Sequence, residues 1–213
     1  KAEEGKRVLF RKMNFQTYPD LESTDMTFQK FKKLSDANPQ QSEYNWGTVE
    51  FVDWQAYDST QLRGLLYKPE NFDPSKKYPM IVYFYEDYQD RFHVYYAQKP
   101  TASIVYPTEY VSNEYIIFIP DVKYDPGYPA KSAYNCIVSG TDYLCDKYDW
   151  IDTNKLGLQG QSWGGYQTAQ LITMTDKYAA AMAGAPVSNM FSAYGGIRWG
   201  SGLSRMFQYE RTQ

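Results

Sequence analysis

Gly160-Gln161-Ser162-Trp163-Gly164-Gly165-Tyr166 is the stretch that decides the fold. Ahead of it, Lys155-Leu156-Gly157-Leu158-Gln159 reads as a short buried strand, extending over Leu156 to Gln161. Behind it, Tyr166 to Thr175 can run as a helix. A serine between glycines at a strand-to-helix junction is the pattern of a nucleophile elbow, a turn sharp enough to lift a hydroxyl above the end of a sheet. The flanking types suit that geometry. Gly160 and Gly164 leave room for a backbone that turns too tightly for side chains, and Gly165 lets the helix lie close to the sheet. An ordinary strand-to-helix turn with an incidental serine carries the same local signal, so the assignment depends on what surrounds it.

Outward from the elbow, strand and helix patterns alternate. Thr48-Val49-Glu50-Phe51-Val52-Asp53-Trp54 alternates as a strand, Asp58-Ser59-Thr60 turns, and Leu62 to Lys68 returns as the second arm of a hairpin. Pro69 to Lys77 is a polar loop. Met80 to Tyr85 and Tyr115 to Pro120 are continuous apolar runs, as expected of strands covered on both faces. Between Lys131 and Tyr148, the residues Tyr134, Ile137, Val138, Leu144, Cys145 and Tyr148 form one stripe at helical period. A further strand is expected at Ala179 to Gly184. The order predicts an α/β fold, mostly parallel with an antiparallel N-terminal hairpin. Residues 1–42 are charged, carry Pro19 and Pro39, and read as edge strands and connector; residues 43–213 form the main domain.

Composition narrows the function classes. Of 213 residues, 43% are hydrophobic and 22% charged, enough for a packed core. The formal net charge of -3 provides no basic field for nucleic acid. No apolar run is long enough to cross a bilayer. The chain opens on a charged segment with no leader pattern, so localisation stays open between periplasmic, secreted and cytoplasmic. Aromatic residues reach 18%, with 22 tyrosines, which suits broad grooves and inter-domain faces without naming a ligand. Cys136 and Cys145 fall nine residues apart on one expected helix, about 13 Å at the helical rise, too far to bridge. With a single histidine and these two cysteines, no metal-ligand cluster and no cofactor are expected.

Four segments together resemble one family: Lys77-Tyr78-Pro79 leading into Met80 to Tyr85, then Asp125-Pro126-Gly127-Tyr128-Pro129, the elbow, and Ala185-Pro186-Val187-Ser188. The chain from about residue 45 is similar to the prolyl oligopeptidase family of serine peptidases, nearest its dipeptidyl-peptidase-like branch. The resemblance implies an α/β-hydrolase domain joined to a β-propeller, with residues 1–42 as the end of the propeller and the linker. It implies cleavage of peptides through an acyl-enzyme on Ser162. The oxyanion donors would be the backbone N–H of Trp163 and the hydroxyl of Tyr85, the tyrosine at the end of the preceding apolar strand. Trp163, Tyr166, Val187 and Met190 would line an apolar, flat-walled specificity pocket. Glu86 and Asp87 stand where relatives often carry small residues; they read as a solvated loop, or as negative potential favouring a substrate amine.

The triad order of that fold is serine, acid, histidine. No histidine follows Ser162, and the single one, His93, lies upstream and reads as a surface or packing residue. Neither Asp176 nor Glu210 suits the acid. The expectation is that acid and base lie beyond Gln213, so that the protein's partners include its own N- and C-terminal portions and a free sheet edge follows residues 179–184. The alternatives are a non-catalytic α/β scaffold used for binding, and a serine esterase on the same fold. An oligomer is compatible with either.

Overall fold

A computed structural model describes residues 5–211. At the N-terminus β1 (Arg7–Lys12), β2 (Asp20–Asp25) and β3 (Lys32–Lys33) form a small antiparallel sheet. It is tied to the rest through Phe15, whose buried ring meets Tyr67 edge-on at 4.9 Å and whose carbonyl accepts the Trp46 indole N–H at 2.6 Å.

The main sheet has six strands. β4 (Thr48–Gln55) and β5 (Gln61–Lys68) are the expected hairpin, in register from Thr48 opposite Lys68 to Gln55 opposite Gln61. Next come β6 (Tyr78–Phe84), β7 (Ile116–Pro120), β8 (Ile151–Gln161) and β9 (Ala180–Gly184). Their order across the sheet is β4-β5-β7-β6-β8-β9. β5 meets β7 antiparallel, and every contact from β7 to β9 is parallel. The continuous apolar runs of β6 and β7 put Met80, Val82, Phe84, Ile116, Phe118 and Ile119 out of contact with water. Complete burial of such side chains stabilises by about 1.5–3 kcal/mol each.

The crossover from β6 to β7 contains a long irregular segment and α1 (Pro107–Val111). The crossover from β7 to β8 is a helical run: α2 (Pro129–Ala133), a π-helical turn over Tyr134–Val138, and α3 (Ser139–Lys147). The stripe expected over 131–148 faces the sheet, with Ile137, Val138 and Leu144 in the main core. The π turn leaves no mark on the apolar spacing over so short a run. Both cysteines are free, and burial pushes each thiol up to about 11, so they pack as neutral thiols.

After β8 the elbow opens α4 (Trp163–Leu171), three residues earlier than the pattern predicts and ending four earlier. The Tyr166 N–H already bonds the Ser162 carbonyl at 3.0 Å, so both glycines lie inside the first turn. Beyond β9 are α5 (Met190–Gly195), a hairpin of β10 (Ile197–Arg198) and β11 (Leu203–Ser204), and α6 (Met206–Arg211). This last segment leaves Phe191 93% and Trp199 96% exposed. Among the described residues β9 has a strand on one side only.

Candidate active site

Ser162 sits at φ 59°, ψ −109°, between the last residue pair of β8 and the first turn of α4. A non-glycine residue there carries strain of about 1–3 kcal/mol, held only where surrounding structure over-determines it. Here the Ser162 N–H bonds the Gly184 carbonyl at the end of β9 at 2.8 Å, and its own carbonyl accepts from Tyr166. Two glycines make the turn possible sterically. A Cβ on Gly160 would overlap the Gly164 carbonyl, and one on Gly165 would lie 2.6 Å from the Gly184 carbonyl oxygen. The Ser162 side chain makes no capping bond to the helix, so its hydroxyl is not consumed structurally.

Trp163 is the first helical residue, and its main-chain N–H is among the first-turn donors that have no acceptor within the helix. The positive end of the helix dipole lies at the same place. Tyr85 follows Phe84, which pairs with Gly160, so the tyrosine leaves the sheet alongside the strand that carries Ser162. Its ring is half-buried. Behind the elbow, on the side away from α4, residue 103 crosses the strand ends: the Gln159 amide donates to the Ser103 carbonyl at 2.9 Å, and the Ser103 hydroxyl meets the Gln161 side chain.

The resemblance implies a pocket around Trp163, Tyr166, Val187 and Met190. Trp163 is 3% exposed and stacks on Tyr166 at 4.7 Å. Tyr209 packs edge-on against Trp163 at 5.6 Å. Val187 lines a cavity of about 330 Å³ together with Ser192, Arg198, Arg205 and Tyr209. Met190 begins α5 and is not part of that lining. Arg198 and Arg205 are among the residues that line this cavity, which Trp163 and Tyr166 do not line. Arg198 and Arg205 come from the short hairpin and its exit, where no periodic pattern flags them.

Asp121, at the end of β7, is 3% exposed. Its carboxylate accepts the Tyr88 N–H at 2.8 Å and the Gln89 side-chain amide, tying down the segment that follows Tyr85. The Val122 N–H adds a bond to the Glu86 carbonyl at 2.9 Å. The 86–89 stretch is thus fastened to the end of β7, more than the solvated loop the two acids suggest. Burial pushes the Asp121 carboxyl up to about 6, against the opposing effect of its hydrogen bonds and with a further push from Asp87. A carboxyl raised above its unfolded value of 3.8 makes the fold less stable as pH rises from about 4 to about 6, and the cost is complete above that. At about 1.4 kcal/mol per pH unit the cost is about 3 kcal/mol. Asp121→Asn should remove this slope: between pH 5 and pH 8 the wild-type domain loses melting temperature relative to the variant. Equal melting-temperature differences at both pH values would show that Asp121 is not the group responsible.

His93 is exposed and packs edge-on against its neighbour Phe92 at 4.8 Å, on the segment between β6 and α1. No helix among the described residues is long and apolar enough to cross a membrane.

A hairpin-led parallel sheet with this strand order, and a strained serine between a central strand and its helix, define an α/β-hydrolase fold. Residues 128–205 match the family model described as the prolyl oligopeptidase family. Human dipeptidyl peptidase 8 is 31% identical over 150 residues, covering 65% of this chain and 17% of that protein. An uncharacterized peptidase of Bacillus subtilis, YuxL, is 25% identical over 78% of this chain and 26% of its own length. Among solved structures, the acylaminoacyl peptidase of Pyrococcus horikoshii superposes with a TM-score of 0.74 at 17% identity, covering 97% of this chain and 33% of that one. Prolyl oligopeptidase B of Galerina marginata gives 0.65 at 14% identity, with 98% and 30% covered. Together the family match and these relatives support a fragment of a serine peptidase of the prolyl oligopeptidase family, and the chain spans between a sixth and a third of the length of these relatives.

Proposed function

We propose that this chain supplies the nucleophile and oxyanion hole of a serine peptidase that cleaves peptides through an acyl-enzyme on Ser162. The observation that carries the reading is the strained conformation of Ser162 at the end of a parallel strand, with its hydroxyl unused and Tyr85 leaving the adjacent strand. In the reaction, Ser162 Oγ bonds to the scissile carbonyl carbon while its proton passes to a general base. The carbonyl oxygen takes the electron pair and is met by the Trp163 N–H and the Tyr85 hydroxyl. The intermediate collapses by breaking the C–N bond, the amine leaves with the proton, and water repeats the sequence to release the acid. Each preorganised donor to such an oxyanion contributes roughly 3–4 kcal/mol.

In this reading the base and its orienting acid come from protein outside these 213 residues, whose single histidine, His93, precedes the elbow in the chain. The one-sided edge of β9 is where further strands would join, and the cleft of about 590 Å³ over Ile81, Gly157 and Met182 is where their connections would lie. Residues 1–42 are the end of a preceding domain and its linker, and 43–213 belong to the hydrolase domain. Val187, Trp163 and Tyr166 belong to the substrate pocket in this reading.

A fluorophosphonate probe should label the full-length protein at Ser162, located by peptide mapping, and that protein should turn over peptides. Labelling elsewhere, or none, would remove the nucleophile assignment. Turnover confined to simple esters would keep the nucleophile and remove the peptidase.

A further inference from the structure

The loop after β7 places one tyrosine between the two groups assigned to the oxyanion hole. Tyr124 packs its ring against the main core, and its hydroxyl is buried beneath the elbow. That hydroxyl donates to the backbone carbonyl of Tyr85 at 2.9 Å. It accepts the side-chain amide of Gln167, which lies in the second turn of α4 and is itself fully buried. The indole N–H of Trp163 is buried near the same oxygen and makes no hydrogen bond among the described residues. A phenol has one proton to give and two lone pairs to offer. The proton goes to the end of β6 and one lone pair to the elbow helix, so the one oxygen links two elements of the same site.

The arrangement has a mechanical consequence. Tyr85 leaves β6 at the strand's end, so the placement of its side chain depends in part on what its main chain is bonded to. The Tyr85 carbonyl is anchored to the Tyr124 hydroxyl, which is anchored to α4. The helix in turn carries the Trp163 N–H at its first position. The two donors are thereby set in one frame through a single oxygen atom. Among the described residues no other hydrogen bond joins the Tyr85 main chain to the elbow helix, although Gly164 lies so close to the strand end that a Cβ on it would meet the Phe84 carbonyl at 2.5 Å. Close packing keeps strand and helix together, while the hydroxyl sets the angle at which Tyr85 departs. Burial, with Glu86 and Tyr85 nearby, pushes the Tyr124 phenol up from its usual range, so it stays protonated and remains a donor across the working pH range.

We propose that Tyr124 is a positioning residue that fixes the Tyr85 hydroxyl relative to the Trp163 N–H, so that both point at the same oxyanion. The proposal rests on the oxyanion reading of Tyr85 given above. Misplacing a catalytic group by about 1 Å costs on the order of 10²-fold in rate. Tyr124→Phe keeps the ring and its packing and deletes only the shared oxygen.

The test uses the full-length protein and a peptide substrate, with kcat and KM measured for Tyr124→Phe, Tyr85→Phe and the double variant. Tyr124→Phe should lower kcat by about 10- to 100-fold with KM nearly unchanged. In the Tyr85→Phe background the same change should cost less than about 3-fold, because there is no hydroxyl left to position. A merely structural tyrosine would multiply its loss onto Tyr85→Phe, or raise KM as well, and either result overturns the proposal. So does wild-type kcat in Tyr124→Phe beside a crippled Tyr85→Phe. Full activity in Tyr85→Phe would remove the oxyanion reading itself, a separate failure. If Tyr124→Phe does not fold, Gln167→Met cuts the same link from the helix side and should reproduce the kcat loss; unchanged kcat there overturns the proposal.

Discussion

Ser162→Ala in the full-length protein should lower peptide turnover by about 10⁴- to 10⁶-fold, the range seen when a nucleophile that works as part of a unit is removed. The residual rate above water would come from binding and the oxyanion donors alone. The variant is clean for a structural reason. Ser162 holds its position through main-chain bonds to Gly184 and Tyr166, and its side chain caps nothing. Alanine has the same Cβ at the same positive φ, so the strain neither grows nor relaxes. Melting temperature should therefore match the wild type within a degree or two, while fluorophosphonate labelling disappears. Retention of more than about a hundredth of the wild-type kcat would place the nucleophile elsewhere, because no binding effect of a missing hydroxyl spares the chemistry and still leaves the triad logic intact.

The elbow was legible because three glycines and a serine leave few ways to join a buried strand to a helix. Steric exclusion is a local property, and it is written in the residues that suffer it. The strands were legible for the related reason that β6 and β7, buried on both faces, cannot carry polar residues. What could not be read were contacts created by the crossing order of the strands. Asp121, Tyr124 and Gln167 are ordinary residues in sequence, separated by up to 46 positions, and only the placement of β7 beside β6 brings the first two under the 85–89 segment. Asp87 matters to Asp121 for the same reason. Arg198 and Arg205 escaped notice because two-residue strands have no period to detect. An arginine beside a turn looks the same whether it faces water or a cavity.

The elbow's strain and the tyrosine's placement have to be separated experimentally, and Tyr85→Phe does so. This variant should lower kcat by about 10²- to 10³-fold, equivalent to about 3–4 kcal/mol, with KM changed by no more than a few-fold. The asymmetry follows from where charge resides. A neutral substrate carbonyl gains little from a phenol already satisfied by water, whereas the developing oxyanion gains a charge-assisted hydrogen bond in a site partly closed to solvent. Equal fractional losses in kcat and kcat/KM are the signature of an interaction made only in the transition state. Phenylalanine retains the half-buried ring, and the Tyr85 carbonyl that receives the Tyr124 hydroxyl is main chain and survives the change. The frame that holds the residue thus remains in place while its donor is deleted. A loss carried by KM would mean that Tyr85 binds substrate without stabilising the oxyanion. An unchanged kcat would leave the Trp163 N–H needing a different second donor, which the labelling of Ser162 would still report as a working nucleophile.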